Sequence, residues 1–544
     1  MLQIANLKLT PAQGGDTERE IGHLRAKVSK KLRVGVDQLL DFCIVRRSID
    51  ARDAYNVFYV YTVAFNPGAG MRVPAGLAEY APSSDYIPPV PVRPIAKRPI
   101  VAGSGPAGLF AALTLAEAGL CPVVIERGKP VDARQADVTG FFETGTLDTE
   151  SNVQFGEGGA GTFSDGKLTT GIRDPRVAKV FAAFLACGAP EEIVWDAKPH
   201  IGTDKLVPML GAMRAQIEAL GGLFRFQTKL TGVHIESGAL HGIAVETPQG
   251  SEEIDTDNLI LAVGHSARDT FEMLYDAGVC MRPKAFAVGV RVEHAQGLID
   301  FAQYKTFAKD LPPADYKFAV RTKSGRGVYT FCMCPGGVVV PAASEANRLV
   351  VNGMSRYARD GANANAAVLV GVSPEDYAAY AQPLSEAGGE EAVLRARALS
   401  GVAFQRAMEE RAYRLGGGGF RAPVQMLGDF VSGKASTALG SVVPSYAVGH
   451  TLCDLHECLD GFVAEALREG LLMMSTKLKG FAAHDAVLTA MESRSSSPIT
   501  ILRDERLHAN IQGILPCGEG AGHAGGIVSS AVDGIRCAES VIAR

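Results

Sequence analysis

Pro99-Ile100-Val101-Ala102-Gly103-Ser104-Gly105-Pro106-Ala107-Gly108-Leu109 decides the fold of this 544-residue chain. Pro99–Ala102 is an apolar strand. Gly103, Gly105 and Gly108 match G-x-G-x-x-G, and Leu109–Gly119 (LFAALTLAEAG) has helical character. Cys121–Ile125 reads as a second strand, and Glu126 ends it, 23 residues after Gly103. Each part has a physical task. Gly103 permits the tight turn, Gly105 lets backbone approach a pyrophosphate, and Gly108 lets helix and strand pack closely. The helix N-terminus offers N–H groups to phosphates, and the acid at the second strand accepts hydrogen bonds from a ribose diol. A lone glycine motif is weak. Within a complete strand–turn–helix–strand–acid unit it implies a bound dinucleotide and a doubly wound α/β fold.

Residues 1–80 read as a small α+β unit, with a strand around Ile4, Leu7 and Leu9, a charged helix near 18–31, and a strand at Phe58–Phe65. Arg25, Lys27, Lys30, Lys31 and Arg33 gather at that helix and read as a solvated face, with an RNA- or partner-binding face as the rival. Residues 81–97 are proline-rich (Pro82, Pro88, Pro89, Pro91, Pro94) and read as a stiff linker. The dinucleotide domain is expected over 98–275 and again over 500–544, with a mixed α+β substrate domain over 276–499. Within that insertion, strands are expected near 286–293, 328–333 and 337–341, and helices over 376–412 and 454–473.

The chain carries 54 Lys and Arg against 59 Asp and Glu, a formal net charge of -5, which argues against nucleic acid as a partner. No export signal or membrane span is legible, so the cytoplasm is the expected location. The ten cysteines follow no disulfide framework and are expected to be mostly reduced.

Further runs identify the dinucleotide by resemblance. Residues 98–108 and 121–128 resemble the FAD-binding end of the glutathione-reductase-like superfamily. Asn258–Gly264 (NLILAVG) is similar to its second motif, and Gly513–Gly520 (GILPCGEG) to its late strand-plus-acid motif. The runs FGEGGAGTFSDGKL (155–168), AVGHSARDTFEML (262–274), TFCMCPGGVVV (330–340), NGMSRYARDGANAN (352–365) and CGEGAGHAGGIVSSAVDGI (517–535) resemble a bacterial family of uncharacterised FAD-dependent dehydrogenases, distantly similar to geranylgeranyl-reductase-type flavoproteins. The likeness spans essentially the whole chain. It implies FAD contacts at Gly103, Ser104, Gly105, Pro106, Ala107, Gly108, Glu126, Arg127, Gly158, Gly159, Lys167, Ala262, Gly264, Gly518, Glu519, Gly525, Gly526 and Ile527. Glu519 would contact the ribitol chain, where most members use aspartate. The helix opened by Gly525-Gly526 would point its positive end at the flavin. His523 stands where a tyrosine is expected.

The resemblance implies hydride transfer through flavin N5 to or from a small-molecule substrate or electron acceptor, with NAD(P)H a candidate donor. Since no second G-x-G-x-x-G sits in a complete strand–turn–helix–strand–acid unit, NAD(P)H would lack a Rossmann domain of its own. The rival functions are an RNA-modifying flavoprotein and a redox sensor with a structural FAD. No side chain identifies itself as the catalytic acid or base. The candidates are Cys332 and Cys334, whose C-x-C spacing suits a reducible disulfide or two unlinked thiols of a strand, together with His265 and His523. No metal site is expected: no second cysteine pair matches, Cys453 and Cys458 being too loosely spaced. Arg268 is expected to pair with Asp269 or a phosphate. Arg356 and Arg494 are candidates for an anionic substrate or cofactor phosphate. Gly416–Gly419 reads as a loop.

Overall fold

The computed structural model describes residues 1–53, 55–73, 76–81, 86–87, 89–90, 96–381 and 389–543. Most of the proline-rich segment, including Pro82, Pro88, Pro91 and Pro94, lies outside the described residues.

The strand Ile100–Ala102 is the centre of a five-stranded parallel sheet. The strand order is Ile514–Pro516, Leu259–Leu261, Ile100–Ala102, Val123–Ile125 and Leu223–Arg225. Four of the five strands are buried on both faces, as parallel strands sandwiched between layers must be. Alternation assigns the faces. Val101, Val124, Ile260 and Leu515 pack beneath the helices Pro106–Glu117, Thr203–Ala219 and Ile527–Ile542. Ile100, Ala102, Val123, Ile125, Leu259 and Ile514 pack on the other side against Leu240, Ile243, Phe271 and Leu274. That second layer is the helix Arg268–Asp276 and an antiparallel meander, Lys229–Glu236, Ala239–Thr247 and Gly250–Asp255. The result is a three-layer α/β domain of Rossmann type. The first and last helices touch closely, because a Cβ at Gly534 would meet the Ala107 carbonyl at 2.0 Å.

The chain leaves and re-enters this domain across a two-stranded ladder, Met281–Pro283 with Ile499–Ile501. Between those crossings lies a seven-stranded sheet. Its order is Ala319–Arg321, Gly327–Cys334, Asn363–Val372, Phe286–Ala295, Val487–Glu492, Ala422–Met426 and His450–Leu452, antiparallel except for the last pair. Ser400–Leu415 and Gly461–Ser475 cover it around a core that includes Val288, Val290, Phe404, Leu467 and Phe481. The long helix read over 376–412 is in fact a turn of 3-10 helix at Ala378–Tyr380 followed by Gly389–Ala398 and Ser400–Leu415, with residues 382–388 outside the described residues. The one read over 454–473 begins as a single turn at Leu455–Glu457 and restarts at Gly461, with Asp460 ion-paired to Arg411 at 2.6 Å between them.

The N-terminal residues form a four-stranded sheet, Leu39–Asp50, Phe58–Pro67, Leu2–Leu9 and Ala78–Glu79, under the helix Thr17–Leu32. Asp16 caps that helix by accepting from the Arg19 amide at 2.9 Å. Leu24 and Val28 face the buried side chains Tyr59, Tyr61, Val63 and Phe65. The unit is held to the body of the chain by Arg47, which pairs with Asp196 at 3.1 Å and lies 4.4 Å over the Trp195 ring. No helix among the described residues is long and apolar enough to cross a membrane.

Candidate functional site

A cleft of about 1380 Å³, open solvent included, lies where the parallel strands end. Its walls begin with the residues that directly follow those strands: Gly103–Ala107, Glu126-Arg127, Ala262–Ala267, and Cys517 with Glu519. This is the crevice outside the carboxyl ends of a doubly wound sheet, where such folds bind ligands. Gly159–Gly161 and Gly525–Ile527 form one flank. Phe331, Cys332, Asn352, Glu492, Arg494 and Ser495 close the far side from the seven-stranded sheet and its neighbours.

The glycines show what the cleft is shaped for. Gly103 has φ +103°, and a Cβ there would meet the Ala262 carbonyl oxygen at 2.3 Å; one at Gly108 would meet the Gly103 oxygen at 1.8 Å. Both are glycine because the protein packs on itself. Gly105 differs: a Cβ there would come no closer than 3.8 Å to any protein atom. Nothing within the chain requires glycine at Gly105, whereas a phosphate group lying on that backbone would. Two helices start at the cleft, at Gly105 and at Gly526, and neither has a side-chain cap. Their first amide donors are therefore left for a ligand.

Glu126 is buried, and both its oxygens accept hydrogen bonds: from Ser104 N (2.9 Å) and Oγ (2.7 Å), and from the amides of Gly128 and Gly156 (2.9 Å each). These donors fix the carboxylate at the mouth of the first turn. Glu519 has the opposite surroundings. No hydrogen bond reaches its carboxyl from the described residues, and burial raises its pKa to about 7 against the pull of Lys284. A hydroxyl-bearing chain in the cleft would supply the donors it lacks. Gly105, the two uncapped helices and the unengaged Glu519 together fit FAD.

The cations near the cleft are already engaged. Arg127 donates to Asp269 at 2.9 and 2.8 Å and to Glu150 at 2.7 Å, and Lys229 reaches Asp269 at 2.7 Å. Arg268 turns away from its neighbour Asp269 and binds Glu409 and Glu345, which corrects the expected pairing: the helix begun at Arg268 carries successive side chains to different faces. Arg494 also binds Glu409, and its remaining donors go to Ser266 and Ser344. Two arginines hold the Glu409 carboxyl well below the usual range despite burial. His265 lies at the edge of this network. Burial and the two arginines push its pKa down to about 3, and its Nε2 finds no partner among the described residues.

Several expected residues stand off the cleft wall. Lys167 does not line it, and its Nζ is 3.8 Å from Asp165. Asp165 in turn accepts from Arg359 at 2.5 and 3.0 Å and from Ser355. Gly108, Gly158 and Gly518 sit behind the wall; Gly158 donates to the Ser104 carbonyl at 2.9 Å and Gly518 to Asp533 at 2.8 Å. His523 faces an adjoining hollow of about 900 Å³ with Lys284, and its Nε2 lies 2.9 Å from the Ile501 carbonyl oxygen. The two hollows share Gly525, Gly526 and Ile527. Arg356 is exposed and lies outside the cleft. Cys332 opens onto the cleft and Cys334 is buried; both are free thiols. Their surroundings raise both, Cys332 to about 12, so neither is a thiolate at neutral pH. Cys453 and Cys458 are also free. Among the described residues one group, Cys517, Asp533 and Cys537, has metal-ligand proximity, but Arg503 binds both Asp533 oxygens at 2.8 and 3.0 Å.

Gln154, Phe155, Phe331 and Glu492 are wall residues that the sequence did not single out. Glu492 stands two residues before the polar run beginning at Arg494, so its neighbourhood was visible though its role was not.

Comparison with known proteins accords with this site. Residues 98–140 match an FAD binding domain, residues 285–495 match the C-terminal domain-like family of FAD-dependent proteins, and residues 1–66 match a domain of unknown function. The fold and these matches define an FAD-dependent oxidoreductase. An uncharacterized protein of Clostridium beijerinckii is 44% identical over 532 residues, covering 96% of each chain, and this chain belongs to that protein's family. Among solved structures, a mutant of E. coli quinol fumarate reductase FrdA aligns with 82% of this chain and 69% of its own, at 11% identity and a TM-score of 0.36. A Bacillus halodurans glycerol-3-phosphate dehydrogenase complexed with FAD aligns over 43% of this chain and 45% of its own, at 14% identity and a TM-score of 0.25.

Proposed function

We propose that the protein uses FAD to move a hydride, through flavin N5, between a small-molecule substrate or electron acceptor and a two-electron partner of the NAD(P)H class. The observation that carries this reading is Gly105, a glycine that no protein atom requires, facing the cleft beside an uncapped helix start. The ADP half would lie along Gly103–Ala107 and Glu126. The covalent length of FAD then carries the ring system past Glu519 toward Gly525–Ile527 and the far wall of Phe331, Cys332, Asn352 and Glu492. When bound, FAD supplies the redox chemistry. The chain binds it through backbone amides, orients it between two domains, and offers the positive end of the Ile527–Ile542 helix to the reduced ring.

The order of the parallel strands and the antiparallel meander support placement in the glutathione-reductase-like superfamily, with the geranylgeranyl-reductase-type flavoproteins as a more distant likeness. A soluble cytoplasmic enzyme acting on a small molecule, with no membrane or nucleic-acid partner, accords with the chain's charge and with the absence of a long apolar helix among the described residues.

The test is an anaerobic absorbance titration of purified protein with NADPH and then NADH. Bleaching of a yellow protein within seconds is the expected result. A yellow protein that stays oxidised would overturn the nicotinamide donor. A colourless protein that cannot be reconstituted with FAD would overturn the whole reading.

A further inference from the structure

One buried cation organises the far wall of the cleft. Arg291, on the strand Phe286–Ala295, is fully buried and engages five partners, the Cys334 thiol at 3.9 Å from Nη2 among them. Nη2 donates to the Cys332 carbonyl at 2.6 Å. Nη1 donates to Asn352 Oδ1 at 3.2 Å and to Glu492 Oε2 at 3.1 Å. Nε donates to Asn365 Oδ1 at 2.9 Å. Cys332, Asn352 and Glu492 come from three different strands, and all three line the cleft. A planar guanidinium suits such a task, since its donors are fixed in one plane. Glu492 is only 4% exposed, and its second oxygen, Oε1, takes no hydrogen bond from the described residues. Oε1 keeps some exposure of its own, and since Glu492 lines the cleft, a ligand or a proton there can complete it.

From this geometry we propose that Glu492 is the proton-transfer residue of the flavin reaction, aimed by Arg291, in a chamber that takes an uncharged polar substrate. The proposal rests on the FAD reading above. The substrate class follows from the charges of the wall. Its cations Arg127, Lys229 and Arg494 are each bound to carboxylates, and Lys167 stands off the wall beside Asp165, so the lining offers an anion no unpaired cation among the described residues. In a reduction, the substrate C=X bond accepts at carbon the hydride leaving N5 and at X the proton leaving Glu492. The N–H and O–H bonds break as C–H and X–H form. Oxidised flavin and a Glu492 carboxylate remain. A proton from bulk solvent, carried in through water, reloads the carboxylate, and hydride from a reduced nicotinamide nucleotide would restore the N5–H bond, leaving the oxidised nucleotide. An oxidation runs the same exchange backwards.

Burial raises the Glu492 carboxyl above its ordinary pKa against the pull of Arg291. The other titratable or charged groups near this wall are Arg291, Arg494, Cys332 and Cys334, with Lys167 acting on both thiols, and across the cleft Glu519 and His265.

The test needs no substrate. FAD-loaded full-length protein is photoreduced against a reference dye, and the flavin midpoint potential is followed with pH in wild type, Glu492→Gln, Glu492→Asp and Arg291→Lys. A carboxyl beside the ring binds a proton more tightly once the ring carries added electrons. The wild-type slope therefore steepens by about twofold, one further proton per two electrons, across the window in which Glu492 titrates. Glu492→Gln removes that segment and keeps the part due to Glu519. Glu492→Asp moves it to another pH. Identical profiles in wild type and Glu492→Gln, both holding FAD, would overturn the proposal. If Glu492→Gln fails to fold, Glu492→Asp decides: a segment at the wild-type pH overturns the assignment. Arg291→Lys keeps a cation but loses the fork, so the segment shifts; an unmoved segment denies Arg291 its positioning role. Wild-type protein that binds no FAD would instead sink the underlying function.

Discussion

The charges around the cleft follow two opposite rules. One set is fully answered: Glu126 by Ser104, Gly128 and Gly156, Arg127 by Asp269 and Glu150, and, on the far side, Arg494 together with Arg268 by Glu409. The other set is not: Glu519, just past the last parallel strand, and Oε1 of Glu492 on the far side take no hydrogen bond from the described residues. A saturated network is rigid and indifferent to pH near neutrality, because its carboxylates are held charged. Burial raises both carboxyls above the ordinary range, Glu519 to about 7, so that they respond to whatever arrives. The first arrangement serves to hold something still, the second to react with it.

The sharpest way to break this contrast is Glu409→Ala. It leaves two buried arginines, Arg268 and Arg494, sharing Glu345 as their one nearby carboxylate, at 2.8 and 3.7 Å, and should cost about 3–5 kcal/mol in denaturant unfolding. A loss below about 1 kcal/mol would mean that the network is not tightly closed. Gly105→Ala comes next. No protein atom obstructs the new methyl, so thermal stability should hold, while overpacking against the cofactor costs about 1–3 kcal/mol, roughly a 5- to 150-fold weaker FAD affinity. Gly103→Ala, by contrast, should damage the fold itself, through its positive φ and the Ala262 carbonyl.

The last test concerns Glu519. Its carboxyl titrates near pH 7 in the folded chain and near the ordinary 4.5 when unfolded. Between those values the folded state binds more protons, so the stability of FAD-free protein should fall as pH rises from about 4.5 to about 7, then level off. Glu519→Gln should flatten that part of the profile in thermal unfolding. An unchanged slope would show that the Glu519 carboxyl is solvated.

Local order carried the first turn. A strand, a glycine turn, a helix and an acid lie within residues 99–126, so every constraint there is short-range and readable from spacing. The same holds for the uncapped last helix, where Gly525-Gly526 leaves no side chain to cap it. The strand Leu39–Asp50 was missed because its bulged register breaks the alternation that marks a strand. The meander at 229–255 was missed although its residues fell inside the expected domain. Lys167 was expected at the cofactor, but Asp165 lies close to its ammonium group, off the cleft wall.

By itself, then, the sequence determined the dinucleotide turn, the parallel sheet built on it and the acids Glu126 and Glu519, since these depend on residues within one strand–helix unit or directly after a strand. Only the tertiary structure decided which charges cancel and which remain. Arg268 passes over its neighbour Asp269 for Glu409, 141 residues away, and Arg291 gathers Cys332, Asn352 and Glu492 from three strands. Partner choice among buried charges depends on side-chain direction and on the order in which strands lie side by side, and neither is a property of sequence spacing.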